Sequence, residues 1–269
     1  MIIVGEKING SRKSVAKAVM ERDAAFIQDL ARKQADAVAQ WLDVHAGTSP
    51  DKEPEDLIWL VETVQAATNV PICLDSPNPA ALAAAIEHVK QKPLINSISG
   101  EKKRLEGTLP LVRNHKCPVI MLAIDDDGIP KTADDRMNII RRLINKLRDA
   151  DAPDAMVYVD PLAMALATDT ESGKMALNTM RMVHYEFPDV HIISGLSNVS
   201  YGLPARTLIN QAFISLAMQS GMDSAILDPL DKGLYSAILA TEVVLGKDRF
   251  CRNYNSAFRA NRLDVNKKD

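Results

Sequence analysis

The segment HIISGLSNVSYG, residues 191–202, passes from an apolar run into glycine, serine and asparagine, and no charge follows until Arg206. A short apolar run bounded by small residues is typical of a strand buried on both faces, here over residues 191–195. Other runs share this form, at residues 2–5, 41–46, 71–75, 93–97, 118–124, 156–160 and 223–228. The sequence therefore predicts eight strands.

Segments with apolar residues at helical spacing separate these runs. Three such stripes are Leu57, Leu60, Val61 and Val64; Ile140, Leu143, Ile144 and Leu147; and Ile209, Ala212, Phe213 and Leu216. Pro54 stands where a first helical turn would begin, and Thr132 with Asp135 has capping-box spacing. Strictly alternating strands and helices predict an α/β fold with a parallel sheet.

Eight such units in a chain of this length predict a single-domain (β/α)8 TIM barrel, for which about 250 residues is typical. A doubly wound open sheet is the alternative. No G-x-G-x-x-G follows a strand and no phosphate-binding P-loop motif is present, which favours the barrel. We expect the barrel to occupy residues 1–262 and a polar C-terminal tail to occupy residues 263–269.

Composition excludes several classes of function. The 269 residues carry a net charge of −3 with interspersed charges, so neither nucleic acid nor a membrane surface is an expected partner. The first residues are too short an apolar run for a signal peptide or a membrane span. Three cysteines lie far apart, at positions 73, 117 and 251, which predicts no disulfide framework or zinc site and favours a reducing cytoplasm.

The predicted strands end in carboxylates or amides. These strand-end residues are Glu6, Asp43 with His45, Asp75, Asn96, Asp125, Asp160, Asn198 and Asp228. The carboxyl ends of the strands form the active site in such barrels. Many acceptors with almost no cations suit a flat, donor-rich heterocycle such as a pterin rather than a phosphate.

Two alternatives use the same residues. Asp43, His45, Asp75 and Asp160 could hold Mg²⁺ or Mn²⁺, as in a metal-dependent lyase or aldolase. DVHAGTS, residues 43–49, resembles the D-x-H-x-x-G signature of cobalamin ligation, but its glycine comes one residue early. We therefore interpret His45 as a strand-end polar residue. No plausible nucleophile for covalent hydrolysis is present.

Six motifs in order along the chain carry a family resemblance: VGEKING near the start, CLDS at 73–76, INS at 95–97, IPK at 129–131, VDP at 159–161 and SGLSNVS at 194–200. Together they resemble the pterin-binding methyltransferase family, most of all the methyltetrahydrofolate:corrinoid protein methyltransferases. The folate module of cobalamin-dependent methionine synthase is more distantly similar. The resemblance implies a (β/α)8 barrel, usually a homodimer.

The resemblance also implies the activity and its residues. A methyl group would pass between N5 of tetrahydrofolate and the cobalt of a corrinoid carried by a separate protein, with no tightly bound metal on this chain. Asp75, Asn96 and Asp160 match the residues that hold the pterin edge, and Asn198 matches the one that reaches N5. Arg206 matches an arginine that contacts the substrate. Further candidate substrate contacts are Glu6, Ser197 and Tyr201.

Some positions depart from the family pattern. His45, Asp125 and Tyr201 stand where relatives can carry asparagine, an amide and glutamine, which leaves the partner and the methyl source open. Dihydropteroate synthase shares the pterin barrel, but its loop after the first strand is replaced here by INGSRKSVAKA. A non-catalytic folate-binding subunit is a third hypothesis beside the methyltransferase and the lyase. The direction of methyl transfer is not specified by the sequence.

Overall fold

Eight parallel strands form one sheet in the computed structural model, which describes residues 1–265. The strands are β1 (Ile2–Asn9), β2 (Trp41–His45), β3 (Ile72–Asp75), β4 (Leu94–Gly100), β5 (Val119–Asp125), β6 (Val157–Asp160), β7 (His191–Ile192) and β8 (Ser224–Leu227). Their order is β7-β6-β5-β4-β3-β2-β1-β8. A bridge between Gly195 and Ile226 joins the two ends of the sheet. The predicted barrel is therefore confirmed.

Within residues 1–265 ten α-helices surround the sheet. They are α1 (Lys13–Glu21), α2 (Ala24–Asp36), α3 (Glu53–Gln65), α4 (Pro79–Ile86), α5 (Lys102–His115), α6 (Ala133–Asp149), α7 (Ser172–Glu186), α8 (Arg206–Gln219), α9 (Lys232–Val244) and α10 (Arg252–Arg259). Pro54 lies in the first turn of α3, and Thr132 accepts from the Asp135 N–H, as the spacing predicts. None of the helices in this part of the chain is both long and apolar enough to cross a membrane.

The interior of the barrel is divided into two layers. We call the lower one the apolar inner layer; its buried members are Val4, Cys73, Leu94, Ile120, Tyr158 and Ile193. Side chains alternate between the two faces of a strand, so the next inward position is two residues further along. These positions hold what we call the polar inner layer: Glu6, Asp43, Asp75, Asn96 and Asp160. The polar residues therefore stand directly above an apolar core.

Strand β1 is longer than predicted and contains an irregularity. Its pairing register with β2 shifts between Gly5 and Ile8. Gln34 of α2, which is fully buried, accepts the backbone N–H of Lys7 at 3.0 Å and so satisfies the interrupted ladder. The Lys7 ammonium then pairs with Asp228 at 2.7 Å. A helix side chain thus shapes the first strand where it enters the mouth of the barrel.

Two expectations from the sequence need correction or completion. Phe213, Ile214, Ala217 and Met218 form the buried face of α8, whereas Leu216 of the predicted stripe is 55% exposed, because this helix carries a second apolar row. At the start of β7, His191 stacks on Tyr158 and its Nδ1 lies 2.6 Å from Asp223.

The segment predicted as a polar tail, residues 263–269, begins with a buried apolar residue. Leu263 is buried and packs with Leu239 and Ala257, so the first residues after 262 lie against the body of the fold. Residues 266–269 of the expected tail lie outside the described residues. The partition into a barrel and a tail stays a prediction.

Close backbone packing at the mouth yields the first testable prediction. A Cβ added to Gly10 would lie 1.9 Å from the carbonyl oxygen of Ala46, and the Gly10 N–H donates to the His45 carbonyl. Because backbone cannot move aside cheaply, we expect Gly10→Ala to lower the free energy of unfolding by about 3 kcal/mol or more. Urea denaturation measures this change.

Gly173→Ala is the matched control. A Cβ there would meet only a flexible Leu166 side chain at 3.3 Å, inside helix α7. We expect a change within about 1 kcal/mol, since alanine also favours the helix. Equal effects of the two substitutions would contradict the close approach at Gly10.

Candidate active site

Four strand ends are brought level with one another at the mouth of the barrel. The pairing register sets Asn9 beside His45, His45 beside Asp75, and Asp75 beside Asn96. Asp43 lies one inward position below His45, and the Asn96 Nδ2 donates to its Oδ1 at 3.2 Å. The structure thus joins two of the predicted site residues, Asp75 and Asn96, with Asp43.

Asp43 is buried and Asp75 is half-buried, and their carboxyls are close enough for the charge of Asp75 to act on Asp43. Burial, followed by the nearby charge of Asp75, raises the pKa of Asp43 well above the ordinary aspartate range. Burial also raises the pKa of Asp75, which the positive charge of Arg104 partly offsets. Both carboxyls therefore resist simultaneous ionisation, and the pair can hold a proton near neutral pH. Such a pair can both donate and accept hydrogen bonds.

Cys73 lies beneath this pair in the apolar inner layer. Burial, together with the adjacent Asp43 carboxylate, raises the pKa of its thiol well above the usual value. A buried thiol beside acids stays protonated and is not a nucleophile. It serves as a hydrogen-bond donor to Asp43.

Asp160 ends β6 in a different environment. Its Oδ1 accepts the backbone N–H of Leu162 at 2.8 Å, and the N–H of Gly195 also hydrogen-bonds to this carboxylate. Burial raises its pKa to about 6, against these two N–H groups and the positive charge of Arg136. Asp160 is therefore mainly ionised at pH 7, as an acceptor of ligand N–H groups must be.

The β7–α8 loop carries the remaining predicted contacts. Ser197 donates to Glu6 at 2.8 Å and so links this loop to β1. Arg206 donates from Nε to Ser200 and from Nη2 to the Ser197 carbonyl, and it lies over the ring of Tyr201. These contacts give the loop a defined shape above the polar inner layer.

Asn198 is exposed at the end of the short 3-10 helix Leu196–Asn198 in this loop. Its amide lies back over Gly195, where a Cβ would come within 3.0 Å of Nδ2. Among residues 1–265 its side chain has no hydrogen-bond partner within the chain. An unpaired amide at the mouth is available to a ligand as donor or acceptor.

Three strand-end acids pair with cations within the chain. Asp125 pairs with Arg142, Asp228 with Lys7 and Glu6 with Arg12. The Nδ1 of His45 is buried without a partner. Among residues 1–265, no group of three or more His, Cys, Asp and Glu side chains is arranged to hold a metal ion.

Asp43 was not assigned to the substrate-binding residues by the sequence analysis. It belongs to the strand-end set but not to the residues assigned to ligand binding. The sequence WLDVH contains a signal for its position: alternation along the strand places Trp41, Asp43 and His45 on the same, inward face. A cavity of about 790 Å³ lies elsewhere, on the flank between α5 and α6. The strand ends, rather than cavity size, therefore locate this site.

Solved structures share the architecture. The dihydropteroate synthase of Xanthomonas albilineans in complex with 7,8-dihydropteroate superposes with a TM-score of 0.67 at 19% identity, over 92% of this chain and 93% of that one. The Yersinia pestis dihydropteroate synthase gives 0.67 at 16% identity, over 91% and 93%. At these identities the similarity establishes the class of fold, a (β/α)8 barrel.

The sequence comparisons are more specific. The chain belongs to the pterin-binding enzyme family, whose profile matches residues 5–228. It is 40% identical over 265 residues to the methylcorrinoid:tetrahydrofolate methyltransferase of Eubacterium limosum, covering 98% of both chains. The methionine synthase of Mycobacterium tuberculosis is 29% identical over 84% of this chain, which spans about a fifth of that enzyme. The family predicted from the six motifs is confirmed.

The buried acid pair makes stability depend on pH. Because the pKa of both carboxyls is raised on folding, the folded protein binds more protons than the unfolded chain above about pH 4, so stability falls as pH rises through the raised values. We expect Asp43→Asn to reduce this decline, by about 1.4 kcal/mol for each unit of pKa elevation removed. Urea denaturation at pH 5.5 and 8.5 measures it.

The exposed Asp189, changed to asparagine, is the control and should leave the pH dependence as in the wild type. A decline in stability that is the same in Asp43→Asn and in the wild type would contradict the raised pKa of Asp43.

Proposed function

We propose that this chain is a methyltransferase that moves a methyl group between a corrinoid carried by a separate protein and N5 of tetrahydrofolate. The observation that carries the proposal is 40% identity over 98% of both chains with a methylcorrinoid:tetrahydrofolate methyltransferase. The mycobacterial methionine synthase, similar over 84% of this chain, is consistent with the proposal. The reaction belongs to one-carbon metabolism, and the same groups serve both directions.

The polar inner layer is the proposed pterin site. A pterin presents a planar edge of N–H and NH₂ donors, which requires acceptors held in one plane. Asp75, Asn96 and Asp160 supply carboxylate and amide oxygens at that level. The bond from Asn96 Nδ2 to Asp43 leaves the Asn96 carbonyl oxygen for the ligand. The apolar inner layer beneath provides a dry base against which these hydrogen bonds are stronger.

Asn198 is the proposed catalytic contact at N5. Transfer towards folate requires the N5 proton to leave, whereas transfer towards cobalt requires N5 to gain positive character. An amide can accept from a protonated N5 or donate to a neutral one by rotating, so Asn198 can stabilise charge at N5 without itself losing a proton. Its exposure and its lack of a side-chain partner among residues 1–265 support this role. Asp75 and Asp160 hold the ring in place for it.

The corrinoid-bearing partner must approach the mouth. Ile129, Met164 and Tyr201 are 40%, 37% and 69% exposed, and they lie in the loops that follow β5, β6 and β7. They form an apolar rim on the same side as Asn198. Apolar side chains around a polar site suit contact with a partner protein and its macrocycle. A cytoplasmic location stays a prediction.

The homodimer implied by the resemblance is also a proposal. Leu208 and Leu216 on α8 are 67% and 55% exposed, with the exposed Ala212 between them on the same helix face. An exposed apolar row of this kind is a candidate contact for a second copy.

Substitutions at the site separate binding from chemistry. We expect Asn198→Ala to lower the rate of methyl transfer about 10²–10³-fold with a smaller effect on tetrahydrofolate affinity, since its contact strengthens in the transition state. Asp75→Ala and Asp160→Ala should mainly weaken tetrahydrofolate binding, because ring N–H groups lose their acceptors. A spectroscopic assay with methylcobalamin and tetrahydrofolate, and a binding titration, measure the two effects.

The alternatives give different results in the same experiments. A metal-dependent lyase predicts stoichiometric metal in the purified protein and no tetrahydrofolate binding. A non-catalytic subunit predicts binding without transfer to or from any corrinoid. Unchanged turnover in Asn198→Ala would remove its catalytic role, and normal titrations in both aspartate variants would show that the ring binds elsewhere.

The oligomeric state tests the α8 surface. We expect the wild-type chain to sediment as a dimer and the double variant Leu208→Glu, Leu216→Glu to sediment as a monomer, because buried unpaired charges oppose association. Met20→Glu, an equally exposed apolar site on α1, is the control and should leave the dimer intact. A wild-type monomer, or a dimer in both variants, would contradict the proposed contact.

A further inference from the structure

Arg136 is a buried arginine that the proposed mechanism does not use. It lies in the first turn of α6 and is only 2% exposed. Within residues 1–265 it forms no salt bridge with a carboxylate. A buried guanidinium without an ionic partner is costly unless its N–H groups are satisfied in another way.

Backbone carbonyls of two neighbouring loops accept hydrogen bonds from the Arg136 guanidinium. Nη1 donates to the carbonyls of Pro161 and Leu162, at 2.5 and 2.9 Å, and Nε reaches the Pro130 carbonyl at 3.4 Å. Pro130 lies in the IPK motif after β5, and Pro161 lies in the VDP motif after β6. One side chain therefore connects the two loops behind the mouth of the barrel.

The loop after β6, which Arg136 holds, has an unfavourable backbone conformation. Leu162 has φ +64°, in the left-handed region that side chains with a Cβ rarely adopt. In this conformation its N–H points back to Asp160 Oδ1 at 2.8 Å. A relaxed loop would return Leu162 to negative φ and turn that N–H away. The contacts from Arg136 to both adjacent carbonyls oppose this change.

We propose that Arg136 is a positioning residue that holds the Asp160 carboxylate ready for its ligand by fixing the backbone after β6. The inference rests on the proposed function, in which Asp160 accepts N–H groups of the pterin. Arg136 acts in two ways: it keeps the Leu162 N–H on the carboxylate, and it places a positive charge nearby. Both favour the ionised, acceptor form of Asp160.

The charged groups around Arg136 and Asp160 are few. Asp160 and Asp169 are the acids whose charges act on Arg136, and the N–H groups of Leu162 and Gly195 face Asp160. Asp169 lies in the loop between β6 and α7, and its Oδ1 accepts the N–H of Glu171. Loss of the guanidinium should therefore be felt mainly at Asp160.

Two substitutions of Arg136 test the proposal. Arg136→Gln removes the charge, whereas Arg136→Lys keeps the charge but lacks the planar guanidinium whose Nε and Nη1 reach carbonyls of both loops. We expect the KM for tetrahydrofolate at pH 7 to rise about tenfold in the glutamine variant and less in the lysine variant, with kcat within about twofold of the wild type. The defect should shrink at pH 8.5, where Asp160 is ionised in every variant.

Arg141→Gln is the matched control on the same helix. Arg141 pairs with Glu186 on the outside of the barrel, so its loss removes an equal charge without touching the loops. We expect a wild-type KM and pH profile. A purely structural role for Arg136 would lower the thermal midpoint without moving the pH dependence, and that result would overturn the proposal.

A titration without folate keeps this test independent of the proposed function. In protein labelled with carbon-13 aspartate, the Asp160 carboxyl resonance, assigned by its loss in Asp160→Asn, should titrate at a higher pH in Arg136→Gln than in the wild type. An unchanged titration overturns the positioning role, and the lysine variant decides it if the glutamine variant does not fold. Absence of tetrahydrofolate binding by the wild type would refute the proposed function alone.

Discussion

The site depends on one change along the strands: successive inward positions pass from apolar to polar within two residues. Leu94 is followed inward by Asn96, Cys73 by Asp75, and Tyr158 by Asp160. The alternation of a strand requires both members of each pair to face the interior, and the closed barrel brings the pairs together. A polar layer above a dry one follows from this, and every polar group in it must find a partner there or in a ligand.

The strand-end acids differ in their neighbours, and the neighbours decide the charge and the role of each acid. Asp125 and Asp228 have cations beside them and are occupied. Asp43 accepts from Asn96 and Cys73, and Asp75 has the charge of Arg104, but burial raises the pKa of both carboxyls, so the pair can keep a proton near neutral pH. Asp160 has backbone N–H groups and the charge of Arg136 nearby, and it remains an ionised acceptor near neutral pH. The same residue type therefore serves as a shared acid, a free acceptor or a structural ion-pair partner according to its neighbours.

Much of this arrangement could be predicted from residues near one another in the sequence. Short apolar runs and helical stripes gave the strand and helix order, and the motifs after the strands gave the family and the reaction. Boundaries were less certain: β1 continues to Asn9 because Gln34, distant in sequence, satisfies its irregular backbone. On α8 the predicted stripe was half right: Ile209 and Phe213 pack against the core, whereas Ala212 and Leu216 are exposed, because only packing against the barrel selects between two apolar rows.

By itself, the sequence determined the order of strands and helices, the polar residues at the strand ends and the family, because these depend on local periodicity and on motifs. The tertiary structure alone decided which acids are free. Asp43 meets Asp75 and Asn96 only through the register of adjacent strands, and Arg136 reaches the loop after Asp160 only because α6 packs on β5, the strand paired with β6. Charges act over distances in space, and the closed barrel sets those distances between residues far apart in the chain.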